Sequence, residues 1–258
     1  MKNTKRSMII TTVLMVVVLV VAISTSTFAW YTASTTGSAT TAVVTSASAS
    51  SANISVGWEA GTTDTTVVFN NDGIVIAPMV PQATPTLNAT AIEFKTANIG
   101  TDKKFTGTDT ATPWKVQNPF IDKPDGDVDI EAKTLDKFYV VNHNVNSGTT
   151  VTVTATVGGD LASMLCIAVY VNDKLQGILT NMTAYNIGPV ADGTDYTTLN
   201  TSSDLRYAPN VGFTFDLGAK GSGSNEATIS INAWLDGRAL ESSNAGKSAT
   251  FDLSFKAA

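Results

Sequence analysis

From Thr150 to Val157 the chain reads Thr-Val-Thr-Val-Thr-Ala-Thr-Val, a hydroxyl and an apolar side chain in strict alternation. A period of two fits one backbone form, a strand with one face buried, because a helix would scatter these residues around its circumference. Thr and Val reinforce it: β-branching costs them freedom in a helix and packs well on a pleated surface. The same period returns in Asn53–Trp58, with Ile54, Val56 and Trp58 on one face, in Val211–Leu217, in Ala227–Leu235 and in Ala249–Phe255. Asp136–Asn144 runs through Asn146-Ser147-Gly148 into the Thr149–Val157 strand. Met164–Val171 is apolar on both faces, as a doubly covered strand requires, and Asn172-Asp173 turns it toward Leu175–Leu179. Thr65–Phe69 and Gly73–Ala77 flank Asn70-Asn71-Asp72-Gly73, whose Asp-Gly is a hairpin signal. About ten short strands joined by Gly, Asn and Asp turns predict an all-β, jelly-roll-like sandwich.

This sandwich is expected to span residues 53–258 as one domain, with an elaborated insertion over about 78–135. Within the insertion Pro78, Pro81 and Pro85 are expected to break regular structure, Ala91–Lys95 to form a strand, and Pro113, Pro119 and Pro124 to mark long connections. Tyr185–Pro209 reads as a polar connection. Ahead of the sandwich, residues 30–52 form a Ser/Thr/Ala arm too poor in apolar surface to make a core. Its Thr40–Thr45 stretch has strand propensity and neither charge nor proline, so it is an extended strip suited to a sheet edge. A linker, an ordinary first strand, and a strand donated to a neighbouring subunit through Thr41, Val43, Val44 and Thr45 are the three readings.

Residues 1–29 have the order of a secretory signal: Lys2, Lys5 and Arg6, then an aliphatic run from Met8 to Ile23, then small residues. Thr27 and Ala29 stand at −3 and −1 of a cut between Ala29 and Trp30. The competing reading is a retained anchor, although a run of 16 residues, with Thr11 and Thr12 inside it, falls short of the roughly 20 apolar residues that span a bilayer. Both place the remaining chain outside the cytoplasm, in the extracellular space or at the cell surface. Membrane contact is then transient through the signal helix, or permanent through the anchor. Beyond residue 29 the chain carries 13 basic and 22 acidic residues, and this acidity without a Lys/Arg cluster argues against nucleic acid as a partner.

Little in the chain suggests catalysis. His143 is the only histidine, at the end of a predicted strand, where an ordinary edge role is expected. Cys166, the only cysteine, lies in an apolar run and reads as a small buried hydrophobe. No cofactor is expected, with calcium as the one candidate ligand: Asp122, Asp125, Asp127 and Asp129 alternate in a Gly-containing loop. Gly126 precedes rather than follows the third acid that the EF-hand pattern needs, which favours a solvated acidic loop. Sequons stand at Asn53, Asn88, Asn181 and Asn200 and matter only in a glycosylating host.

The junction Thr27-Phe28-Ala29-Trp30-Tyr31-Thr32 resembles that of the exported TasA/camelysin group of Gram-positive bacteria, and the strands around Ile229–Gly237 resemble exported proteins with that kind of junction. The resemblance implies a jelly-roll subunit of an extracellular matrix fibre, some members of which pass an N-terminal strand into the next subunit. The metalloprotease activity ascribed to camelysin is not implied here, since the usual metal ligands are missing. The expected function is therefore a non-enzymatic homopolymer built by donor-strand exchange. The alternative is a secreted or anchored monomer that binds surfaces or carbohydrate, with Trp58, Trp114 and Trp234 as candidate sugar platforms; strand tryptophans more often fill cores, whereas Trp114, beside Pro113, is expected in a loop.

Overall fold

A computed structural model describes residues 38–47 (as backbone), 53–69, 78–99, 104–107, 110–115, 136–180, 189–194, 212–237 and 248–258. The predicted Asn70–Gly73 turn and Gly73–Ala77 strand lie outside these residues. In chain order the strands are β1 (Ser38–Ala47), β2 (Ile54–Gly57), β3 (Thr66–Val68), β4 (Pro78–Pro81), β5 (Phe94–Thr96), β6 (Asn98–Ile99), β7 (Phe105–Thr106) and β8 (Thr110–Ala111). They continue with β9 (Trp114–Lys115), β10 (Lys137–Asn142), β11 (Thr149–Gly158), β12 (Leu165–Val171), β13 (Lys174–Thr180), β14 (Phe213–Leu217), β15 (Glu226–Asp236) and β16 (Ser248–Ala257). Among the described residues there is no α-helix, and none of sufficient length and apolarity to cross a membrane.

The fold is an all-β sandwich. One sheet has five strands in the order β14-β11-β16-β1-β3. The other has nine: β13-β12-β15 are joined on one side by β10 and β2, and at the end of β15 by β4-β5-β8 and β9. The alternation read in the sequence decides which side chains meet. Val151, Val153, Phe251, Leu253 and Phe255 point inward from the first sheet, and Phe138, Val140, Ile229 and Ile231 from the second. Phe138 packs edge-on against Phe255 across the gap, with ring centroids 5.8 Å apart, and meets Phe69 and Trp58 on the same side.

The second sheet is buried on its outer face as well. Phe138 is in register with Ile229, so the odd positions of β15 face the other sheet and the even ones, Trp234 among them, face away. Trp234 is nevertheless fully buried, its ring 4.8 Å from that of Phe94 on β5. The β4–β8 extension thus covers a second apolar face. This explains why every residue of β12, Leu165 to Val171, is buried, Cys166 included. A separate cluster joins Val80, Ala97 and Phe105 of the extension to Val190 of the segment 189–194.

Two expectations need correction. Pro78 and Pro81 do not break regular structure; they bound β4, which is parallel to β15 for only Leu235↔Pro78 and Asp236↔Met79. Proline is extended by nature, and so short a pairing asks little of its missing N–H. Trp114 lies not in a loop but in β9, opposite Ala233, and packs edge-on to Phe69 and Phe251 at the end of the sandwich core.

Turn chemistry follows the backbone. Asn172 and Asp173 both have positive φ, 51° and 63°, the two-residue hairpin form that Asn and Asp tolerate. Gly159 has φ +86°, and a Cβ there would stand 2.6 Å from the Ser248 carbonyl oxygen. Gly159→Ala is therefore expected to cost about 1–3 kcal/mol in denaturant unfolding from backbone strain, with the clash added. Gly193 has φ +83° but open space around it, so Gly193→Ala should show the strain without the clash. Equal losses for the two variants would rule out the Ser248 contact as the reason for the glycine.

Candidate functional site

The proposed donor segment is the best-defined functional candidate. β1 fills a slot inside the five-stranded sheet of its own chain. It runs parallel to β16, from Ser38↔Ser248 to Ala47↔Lys256, and antiparallel to β3. Thr41 is in register with Thr250, Val43 with Asp252 and Val68, Val44 with Leu253 and Val67, and Thr45 with Ser254 and Thr66. Leu253 and Val67 are buried, whereas Asp252 and Val68 are exposed. Successive strand positions alternate between faces. The core-side register position therefore belongs to Val44, and the two valines are not equivalent plugs.

β1 sits in one sheet and β2, after Ser48-Ala49-Ser50-Ser51-Ala52, in the other. Five small residues span roughly 20 Å at most between the flanking positions, enough to cross between sheets packed about 10 Å apart. Where this segment ends, His143 pins the chain. Its backbone N–H donates to the Asn53 carbonyl at 2.8 Å. Its Nε2 lies 2.7 Å from Ser55 Oγ and 3.0 Å from the Thr62 carbonyl oxygen.

The Ser55–His143 contact has the outward look of a nucleophile and its base, but the hydrogens run the other way. Ser55 Oγ donates to the Thr62 carbonyl at 2.5 Å. Having given its hydrogen there, Ser55 accepts from Nε2–H, and a protonated Nε2 cannot take a proton from serine. Ser55, His143 and Thr62 thus clamp β2 to β10 and to the turn after β2. Sequence reading placed His143 at a strand end and missed this clamp, which depends on the β2–β10 register Val141↔Ser55.

Ala29 and Trp30, and Asp122, Asp125, Asp127 and Asp129, lie outside the described residues, as do Asn181 and Asn200. Asn53 and Asn88 are exposed. Among the described residues no group of three or more His, Cys, Asp or Glu is placed to hold a metal ion. The three tryptophans form no surface platform: Trp234 is fully buried, and Trp58 and Trp114 are half-buried within aromatic contacts.

A second candidate is a polar cleft on the outer face of the nine-stranded sheet. Ser230 and Asn232 of β15 and Tyr170 of β12 meet there with Asp136, Lys137 and Asp173. Lys137 Nζ donates to Asp173 Oδ1 at 2.6 Å, tying β10 to the β12–β13 turn. That hydrogen bond holds the Lys137 ammonium above its usual pKa, against a smaller opposing effect of burial. Burial raises the Tyr170 phenol, so both groups stay protonated at neutral pH. The signal in the sequence was one phenol in an otherwise apolar strand. Its meaning depended on β15, where Ser230 is in register with Tyr170.

Comparisons with family models, with characterised proteins and with solved structures find nothing that matches this chain.

Proposed function

We propose that the protein is a non-enzymatic structural subunit of an extracellular or cell-surface filament, in which β1 of one copy fills the slot between β16 and β3 of the next. The observation that carries this reading is the seating of β1. It is an N-terminal strand with a long parallel pairing to β16, joined to the sandwich by five small residues. The slot is thus complete with β1 supplied from the same chain or from a neighbour, the relation on which strand swapping depends. Its head-to-tail repetition gives an open filament. The jelly-roll-like arrangement fits: from β10 onward the chain changes sheets at every step except the β12–β13 hairpin. The signal-like order of residues 1–29 and the resemblance of Thr27–Thr32 to the TasA/camelysin junction support the location.

The same pairing also favours a second reading, a secreted or anchored monomer that keeps β1 in its own sheet. Thr45→Cys and Ser254→Cys separate the two, because these positions are register partners and neighbouring strands bring Cα atoms within disulfide range. Cys166 is buried and should stay silent. For a filament subunit, the two single variants mixed under assembling conditions should cross-link between chains into disulfide dimers, since each chain carries one accessible thiol. The double variant, oxidised as a monomer, should not assemble. Absence of intermolecular cross-links, with assembly unchanged in the locked double variant, would overturn the exchange.

A further inference from the structure

The slot that β1 fills is lined unevenly. The ladder between β1 and β16 skips Thr40, so Ala39 and Ala42 fall on the same side, in register with Ala249 and Phe251. Val44 and Ser46 follow on that side, in register with Leu253 and Phe255. All four β16 positions are buried, so this is the core side of β1. None of the four β1 residues there is larger than valine, whereas β16 brings two phenylalanines and a leucine.

The two rings have little room to yield. Phe251 lies 6.4 Å from Phe69 and 6.0 Å from Trp114, centroid to centroid, and Phe255 lies 5.8 Å from Phe138. In-register positions on neighbouring strands share a face and stand about 4.8 Å apart. A bulky residue at position 42 or 46 would therefore compete with Phe251 or Phe255 for the same space, and overpacking a close-packed interior is destabilising. Sliding β1 by two residues preserves its faces but brings Val44 into register with Phe251 or Phe255 in place of Leu253.

Main-chain hydrogen bonds hold an added strand whatever its sequence, and the pockets beneath alternate residues supply selectivity. A strand made only of Ser, Ala, Thr and Val offers such pockets little to read except size. Resting on the strand exchange proposed above, we infer that the slot selects its strand by size. It accepts a parallel strand of the pattern small-x-x-small-x-Val-x-small, which in a second copy of this chain is Ala39 to Ser46. It rejects a strand with a bulky residue at either position in register with a phenylalanine. Position 43, in register with exposed Asp252 and Val68, is free of this restriction.

A size swap in the full chain tests it. In denaturant unfolding, Ala42→Phe and Phe251→Ala should each lower the midpoint, whereas the double variant should lose clearly less than the two losses summed. Val43→Phe, on the other face, should leave the midpoint near that of the parent. Additive losses in the double variant, or an equal loss from Val43→Phe, would overturn the size rule. Ala42→Leu, a smaller enlargement, carries the same comparison if Ala42→Phe fails to fold. Exchange between copies is read with a Thr45→Cys donor and a Ser254→Cys acceptor. Ala42→Phe in the donor should reduce their disulfide dimers at least tenfold, and Phe251→Ala in the acceptor should restore them. Dimers formed equally well by the enlarged donor would overturn selection by size and leave exchange standing. No dimers from the parent pair would overturn exchange itself, and selection between copies with it.

Discussion

A chain lacking residues 38–47 is expected to lose its cooperative unfolding transition and to regain it when a peptide of that sequence is added. Without β1, the interior strand β16 becomes an edge from Ser248 to Ala257, and β3 loses its hydrogen-bonded neighbour in the five-stranded sheet. Unpaired N–H and C=O groups along such an edge are templates for aggregation. Beside them Phe251, Leu253 and Phe255, all fully buried in the complete sheet, would lose part of their cover. The peptide restores both terms from outside, as a neighbouring subunit would. Register sharpens the test. A peptide with Val44→Asp, whose position is in register with buried Leu253 and Val67, should rescue at least tenfold more weakly. A peptide with Val43→Asp, in register with exposed Asp252 and Val68, should rescue nearly as well as the original. Circular dichroism melts of the shortened chain, titrated with each peptide, read the result. A shortened chain that melts like the full one would make β1 an accessory and remove the basis for exchange.

The second large effect lies on the opposite face of the molecule. Trp234→Ala should cost about 3–5 kcal/mol, the range for emptying a buried large aromatic site, and lower the melting temperature by roughly 6–20 °C for a chain of this size. Trp234 is fully buried and packs on Phe94. Its loss would loosen the β4–β8 extension from the sheet rather than open the space between the sheets. Trp114→Ala, at a half-buried site, should cost clearly less. Trp234→Phe should be milder still than Trp234→Ala, because it keeps most of the ring and removes an indole N–H that has no partner among the described residues. Guanidinium unfolding of the three variants orders them. Equal losses for Trp234→Ala and Trp114→Ala would show that the outer layer adds little to stability.

Local pattern was a good guide wherever one face of a strand is buried. The alternation from Thr150 to Val157 and in β15 and β16 located both the strands and their inward residues, because side-chain period is a property of the backbone. The unbroken apolar run of β12 announced two covered faces. What it could not name was the cover, since Phe94 reaches Trp234 through a pairing between segments distant in the chain. Short strands such as Pro78–Pro81 and Trp114–Lys115 escaped for a related reason: they are held by β15 and carry no period of their own. The candidate sites divide in the same way. The strand propensity of β1 was visible in Thr40–Thr45, whereas its partner β16 was not. The cleft gathers residues from several strands and turns, so only the folded register brings Tyr170, Ser230 and Asp136 together.

The pairing of β1 with β16 also sets a timetable for folding. The two strands are roughly 200 residues apart in the chain, and β16 lies between β11 and β1 in the middle of its sheet. No part of the chain made before Ser248 can assemble that sheet in its final order. Contacts this distant in sequence close late and slowly, so a growing chain carries an open, incomplete layer until β16 has been made. Until that pairing closes, β1 is free to find either its own β16 or another copy's.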